Sequence, residues 1–150
     1  MNYQWHTKTF FELNLAELYA LLRLRQEVFV VEQDCIYQDL DGMDQQATHI
    51  FCRRDGQLLA YQRCLAPGLS YPESSLGRIV VCTSARGLQL GRELVKRGIS
   101  HNLDNWPQVG IRINAQAYLQ DFYSELGFVA SGETYDEDGI MHRQMLYRAP

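Results

Sequence analysis

The sequence predicts a mixed α+β fold, with antiparallel hairpins first and strand–helix–strand units later. Three observations predict it. Apolar residues alternate with a period of two in several short runs and recur at helical spacing in others. Gly-, Pro- and Asp-containing turn signals separate those runs. No repeat, linker or break in composition interrupts the 150 residues, so a single domain over residues 1–150 is expected.

Tyr3, Trp5, Thr7 and Thr9 alternate with their neighbours and predict a first strand. A helix is expected from about Leu15, because Asn14 is a good N-cap and Glu17 stands where a capping box needs it. Leu15, Leu18, Leu22, Arg25 and Phe29 recur along its apolar stripe, which Leu21, Leu24 and Val28 widen. The acidic stretch after Glu32, with Gly42 and no period, reads as a loop. Residues 49–53 and 58–65 predict strands joined by Asp55-Gly56, a strong hairpin signal. A Pro/Gly/Ser loop over residues 67–75 leads into a strand over 76–82. A helix is expected over 87–102, with Leu90, Leu94, Val95 and Ile99 on its buried side. Then come a strand over 109–115, a short helix over 119–126 and a strand over 128–135. A turn over 136–139 and a last strand over 141–147 close the chain.

Composition removes several classes. With 46% hydrophobic and 21% charged residues the chain is neither disordered nor collagen-like. No apolar run approaches the ~20 residues that span a bilayer, and residues 1–10 carry no signal-peptide pattern. A cytoplasmic protein without a membrane partner is expected. Cys35, Cys52, Cys64 and Cys82 are scattered, with no Cys-x-x-Cys pair and no His at ligand spacing, so no metal is expected. The net charge of −4 argues against nucleic acid, which calls for clustered Lys and Arg.

The charge is uneven. Residues 32–44 hold five acids and no Lys or Arg, whereas 86–97 hold Arg86, Arg92, Lys96 and Arg97 against Glu93. That division suits an enzyme for a cationic substrate and an anionic cofactor, or else two solvated faces. Asp39, Asp41 and Asp44 lack calcium-loop order, since Ile50 holds the twelfth position counted from Asp39. They form either an acidic lip for a cation or a solvated loop.

Two segments carry the chemistry. From Gly77 to Arg92 a buried strand turns into a helix whose start holds two glycines and two arginines. Free amides at a helix start, the positive dipole end and glycines that admit close backbone approach make an anion site. From Gln116 to Phe128 a short aromatic helix ends at Gly127, a C′ glycine leading into a strand. Tyr123 on that helix is either packing or a positioned hydroxyl.

Together these segments resemble the coenzyme A-binding motifs of the GNAT N-acyltransferase superfamily. Its pattern is Val-x-Pro, then Arg/Gln-x-x-Gly-x-Gly/Ala, and later Asn-x-x-Ala-x-x-Phe-Tyr-x-x-x-Gly-Phe. Val81, Arg86, Gly91, Phe122, Tyr123, Gly127 and Phe128 fall in register with it. Thr83 takes the Pro slot, Gln89 the first loop Gly, and Gln116 and Leu119 the Asn and Ala slots. Arg25, the run from Val28 to Gln33, and Tyr37-x-Asp39-x-Asp41 look like the ElaA-like branch.

The resemblance implies a GNAT-like acyl-CoA N-acyltransferase fold in α/β/α layers, with a mixed sheet splayed between its central strands. It implies acetyl-CoA as co-substrate and a small-molecule amine or a peptide as acceptor, and it admits a homodimer. The backbone of Ile79, Val80 and Val81 would pair with the pantetheine arm, with Gln116 adding an amide. Arg86, Gly87, Leu88, Gln89, Leu90, Gly91 and Arg92 would hold the pyrophosphate. Glu32 and Asp41 would face the acceptor, and Tyr123 would protonate the departing thiolate. Where some relatives place a catalytic Glu this chain has Ile111, which leaves Glu32, Asp41, His49, Glu133 and His142 as bases to weigh. The expected activity is direct acetyl transfer to a small-molecule amine. A peptide N-acetyltransferase and a non-catalytic acyl-CoA-binding module are the alternatives.

Overall fold

Period-two alternation builds the sheet. β1 (Gln4–Thr9), β2 (Thr48–Arg54), β3 (Gln57–Leu65) and β4 (Ser74–Val81) pair antiparallel in sequence order. β5 (Ile111–Gln116) lies parallel to β4 and antiparallel to β8 (Ile140–Tyr147). The short β6 (Val129–Ala130) and β7 (Tyr135–Glu137) both pair with β8. In the computed structural model, which describes residues 2–150, these strands make one sheet ordered β1-β2-β3-β4-β5-β8-β6, with β7 on β8. The Asp55-Gly56 hairpin forms as expected, with φ of +53° and +78°, the backbone of a two-residue primed turn.

Alternation also divides the core. Phe51, Tyr61 and Val80 point to one face and pack on Leu21, Leu24 and Val28 of the first helix, α1 (Leu15–Arg25), and its continuation. Ile50, Cys52 and Ala60 point to the other face. There they meet Leu94 and Val95 of α2 (Leu90–Asn105), with Tyr123 of α3 (Gln120–Glu125) in the same cluster. The α/β/α layering follows directly. No helix among the described residues is long and apolar enough to cross a membrane.

Four details differ from the expectation. Leu15, placed on the apolar stripe, is 85% exposed, because the helix buries the face carrying Leu21, Leu24 and Arg25. Beyond Arg25 the chain continues as a π-helical segment, Gln26–Glu32. The second helix begins at Leu90 rather than Gly87, because Gly87 and Gln89 both take left-handed φ, +85° and +64°. The strand expected over 128–135 breaks into β6 and β7, with Gly132 at φ +85° between them.

The feature that positions everything else is where β4 and β5 part. They pair only at Ser74–Ile111 and Ser75–Arg112. Asn102 of α2 clasps that closed end, donating to Ser74 Oγ and to the Ser75 carbonyl at 3.1 Å each. Beyond it β4 is held by β3 and β5 by β8, so the two strands are drawn apart. β4 also carries a bulge: Tyr61 faces Val80 while Arg63 faces Gly77, one residue more on β4, with Arg78 at φ +51°. The sheet is mixed and splayed between its central strands.

Candidate active site

The fork between β4 and β5 opens into a cleft of about 640 Å³. On one wall stand Ile79, Val80 and Val81, whose strand pairs with β3 on one edge and with nothing on the other. On that open edge the main-chain groups of Ile79 and Val81 face the cleft, with the Val81 carbonyl accepting from Arg86, while those of Val80 turn toward Tyr61 of β3. On the opposite wall stand Asn114, Ala115 and Gln116 of β5. Gly91, at the start of α2, borders the cleft as well. A Cβ there would meet Phe122 at 3.7 Å and Val81 at 3.8 Å, ordinary contacts, so protein packing alone does not require glycine.

The loop that leaves β4 has an unusual backbone. Sequence alone places Gln89 in a helical turn. Here it is the N-cap of α2 in the left-handed region, which costs a non-glycine residue about 1–2 kcal/mol. With Gly87 it turns the chain from the short 3-10 turn Thr83–Ala85 into the helix. The first helical bond is Glu93 N–H to the Gln89 carbonyl, so the Leu90, Gly91 and Arg92 amides have no helical partner. The amides of Gly87, Leu88 and Gln89 likewise make no main-chain bond among the described residues. Leu88, Gln89, Leu90 and Arg92 border an adjoining hollow of about 290 Å³ with Tyr3, Trp5 and Lys96. Gly87 lines neither space.

Arg86 and Glu32, expected at opposite ends of the reaction, hold each other. Arg86 grips both Glu32 oxygens at 2.6 and 2.9 Å and donates Nε to the Val81 carbonyl at 3.2 Å. The guanidinium holds the Glu32 carboxyl below the usual carboxylate range. Arg92 donates to Glu125 at 2.5 Å and lies over the Phe122 ring.

The acidic stretch is neither a solvated loop nor a free acidic lip. Arg25, with no exposed surface, binds Asp39 and Asp44 at 2.8 Å each. Arg63 binds Asp41 and Asp44, and Arg78 binds Asp39 and Asp41. Three carboxylates and three guanidiniums therefore close on one another. Asp41 lines the cleft, but Arg63, with help from the Met43 amide and Arg78, holds its carboxyl far below the usual range. The web had a sequence signal: Arg25 in an apolar helical stripe and Arg63 in an apolar strand both demand buried acids.

Tyr123 is 6% exposed, lines the cleft, and packs edge-on against Phe122 and Phe128. Burial pushes its phenol well up, so it stays protonated at neutral pH. Gln116 donates its side-chain amide to Gln33 at 3.2 Å, tying β5 to the N-terminal lobe. Of the expected bases, His49 is wholly buried between the Tyr61 hydroxyl (2.6 Å) and the Asp44 carbonyl (2.9 Å), and Glu133 is exposed and away from the cleft. His142 lines the cleft.

Comparison with known proteins agrees with this geometry. A family model described as an acetyltransferase (GNAT) domain matches residues 16–149. A UPF0039 protein of Synechocystis is 42% identical over 151 residues, covering 100% of this chain and 98% of its own. The crystal structure of an acyl-CoA N-acyltransferase from Pseudomonas aeruginosa matches with a TM-score of 0.92 at 44% identity, covering 97% of this chain and 99% of that one. That of Escherichia coli ElaA matches with a TM-score of 0.92 at 37% identity, covering 98% and 100%.

Proposed function

The chain belongs to the GNAT acetyltransferase family, and from that premise we propose that it moves an acetyl group from acetyl-CoA directly to a primary amine of a small molecule. One observation carries the proposal. β4 leaves β5 after two paired positions, its free edge leads into a loop of unpartnered amides, and a buried tyrosine lines the same cleft. A pantetheine arm has amides to pair with such an edge, and a pyrophosphate has oxygens to accept from such a loop.

In this reading Ile79 and Val81 hold the arm through their main chain, and Gln116 reaches it by its side-chain amide. The amides of Gly87, Leu88, Gln89, Leu90, Gly91 and Arg92 receive the pyrophosphate. Arg92 adds charge once it turns from Glu125, while Arg86 stays on Glu32 and borders the site from there. Glu32 and Asp41 act on the acceptor through the shape they hold, since arginines already occupy their carboxylates. The acceptor's lone pair forms the new C–N bond, the C–S bond breaks, and Tyr123 O–H gives its proton to the sulfur.

The test is a thiol-release assay with acetyl-CoA against primary amines, polyamines, amino acids and peptides. Turnover by a small primary amine supports the reading. Turnover by peptides alone moves the protein to protein acetylation, and coenzyme A binding without any thiol release makes it a binding module.

A further inference from the structure

Direct transfer needs a group to take the proton from an acceptor that is an alkylammonium ion at neutral pH. Resting on the acetyltransferase reading, we infer that His142 Nε2, oriented by the Ile140 carbonyl and facing Glu137, is that group. The carboxylates first considered are committed elsewhere: Glu32 to Arg86, and Asp41 to Arg63 and Arg78.

His142 Nδ1 lies 2.8 Å from the Ile140 carbonyl. A carbonyl oxygen only accepts, so the bond places a proton on Nδ1 and leaves the lone pair on Nε2. Nε2 stands 3.7 Å from Glu137 Oε2. Glu137 makes no ion pair with Lys or Arg among the described residues, and it too lines the cleft. Its carboxylate accepts from Asn114 Nδ2 at 2.9 Å, and Asn114 Oδ1 in turn accepts from the Tyr135 hydroxyl. The Tyr135 ring stacks on the imidazole, with centroids 6.3 Å apart. Three strands build this chain of contacts: Asn114 from β5, Tyr135 and Glu137 from β7, His142 from β8, with Gln116 and Tyr135 directly opposite His142.

The arrangement has the parts that a base requires. One nitrogen is anchored, the other is free, and a carboxylate waits to stabilise the imidazolium. The balance closes. Nε2 takes one proton from R–NH3+, and the freed lone pair attacks the thioester carbonyl. The second N–H proton leaves to solvent as C–S breaks and Tyr123 protonates the sulfur. Tyrosinate regains a proton from solvent, and His142 returns its own, for a net release of one proton per turnover. Glu137 plays the positioning part, acting on the acceptor only through His142.

The decisive variant is His142→Asn, which keeps an N–H where Nδ1 stands and deletes Nε2. With acetyl-CoA and the best alkylamine from the thiol-release assay, kcat/KM should fall by about 10²-fold. With hydroxylamine, which is uncharged at neutral pH and needs no prior deprotonation, it should change by no more than about 3-fold. Glu137→Gln should cost several-fold with the alkylamine, and that loss should vanish in the His142→Asn background, since it acts through the same group. Unchanged coenzyme A affinity and melting temperature certify that the variants fold. Independently of any acceptor, nitrogen-15 spectra should show His142 as the Nδ1–H tautomer.

Equal losses with both nucleophiles, or an Nε2–H tautomer, overturn the assignment. If wild-type protein is active and His142→Asn equally so, the assignment falls and the transferase reading stands. If wild-type protein releases no thiol with any amine, both fall together.

Discussion

Asp39, Asp41 and Asp44 meet Arg25, Arg63 and Arg78 at one side of β4, and every carboxylate in that web has guanidinium partners within 3.3 Å. At the far end of the same strand, six successive amides from Gly87 to Arg92 have no main-chain partner among the described residues. Both regions looked alike as stretches of charge. In the web the charges close on one another in a largely dry setting, where an unpaired partner is expensive. In the loop the donors from Leu88 to Arg92 are left open at the cleft and the hollow beside it, where a ligand can complete them. The first holds the N-terminal lobe to the sheet, and the second is where the proposed cofactor would be held.

The largest effect should come from Arg25→Ala. It takes one of two guanidinium partners from both Asp39 and Asp44 and leaves a buried space, so unfolding in urea should show a loss of about 3–5 kcal/mol. A loss below ~1 kcal/mol would mean that water reaches the web and that it is a surface cluster. The same web sets an acid limit. Arg63, then the Met43 amide and Arg78, depress the Asp41 carboxyl. Burial opposes ionisation of Asp44, but Arg25 and Arg63 outweigh it, so its folded pKa is also low. A carboxylate depressed on folding contributes stability above its unfolded pKa of ~3.9, lost as pH falls toward the folded value. Stability should therefore hold down to about pH 4 and then drop, and Asp41→Asn should flatten that drop.

At the open region the effects should appear in catalysis and binding instead. Tyr123→Phe keeps the ring against Phe122 and Phe128 and deletes only the hydroxyl. We expect kcat and kcat/KM to fall together by about 10²-fold, with coenzyme A affinity and melting temperature unchanged. A wild-type rate would reduce Tyr123 to packing. Arg92→Glu should weaken coenzyme A by several-fold to a hundredfold, or ~1–3 kcal/mol, in calorimetry. The smallest effect is Gln89→Gly, which relieves a left-handed residue. It should leave stability unchanged or raise it by up to ~1 kcal/mol, because glycine's freer unfolded state offsets part of the gain.

Much of this contrast was legible before the structure. Most of the strands, the Asp55-Gly56 hairpin and the core face of α2 follow from local patterns, which need only near neighbours, and the register of Tyr123 with Gly127 follows from the family resemblance. What stayed hidden depends on residues far apart in the chain. Arg25 and Asp44, or Arg63 and Asp41, meet only when the lobe folds over the bulge in β4. Glu32 and Arg86 were read as belonging to opposite ends of the site, and nothing local says that they touch. Tyr135, Asn114 and Glu137 went unnoticed because each is an ordinary polar residue until three strands bring them together. The left-handed Gln89 was missed because a side chain there hides the strain that a glycine would have announced.

Amide hydrogen exchange with and without acetyl-CoA decides whether the free edge of β4 and the loop after it form the proposed acyl-CoA site. Binding should slow exchange at residues 79–81 and 87–92 and leave the arginine–aspartate web unchanged. Acetyl-CoA that binds by calorimetry without protecting either segment would place the site elsewhere.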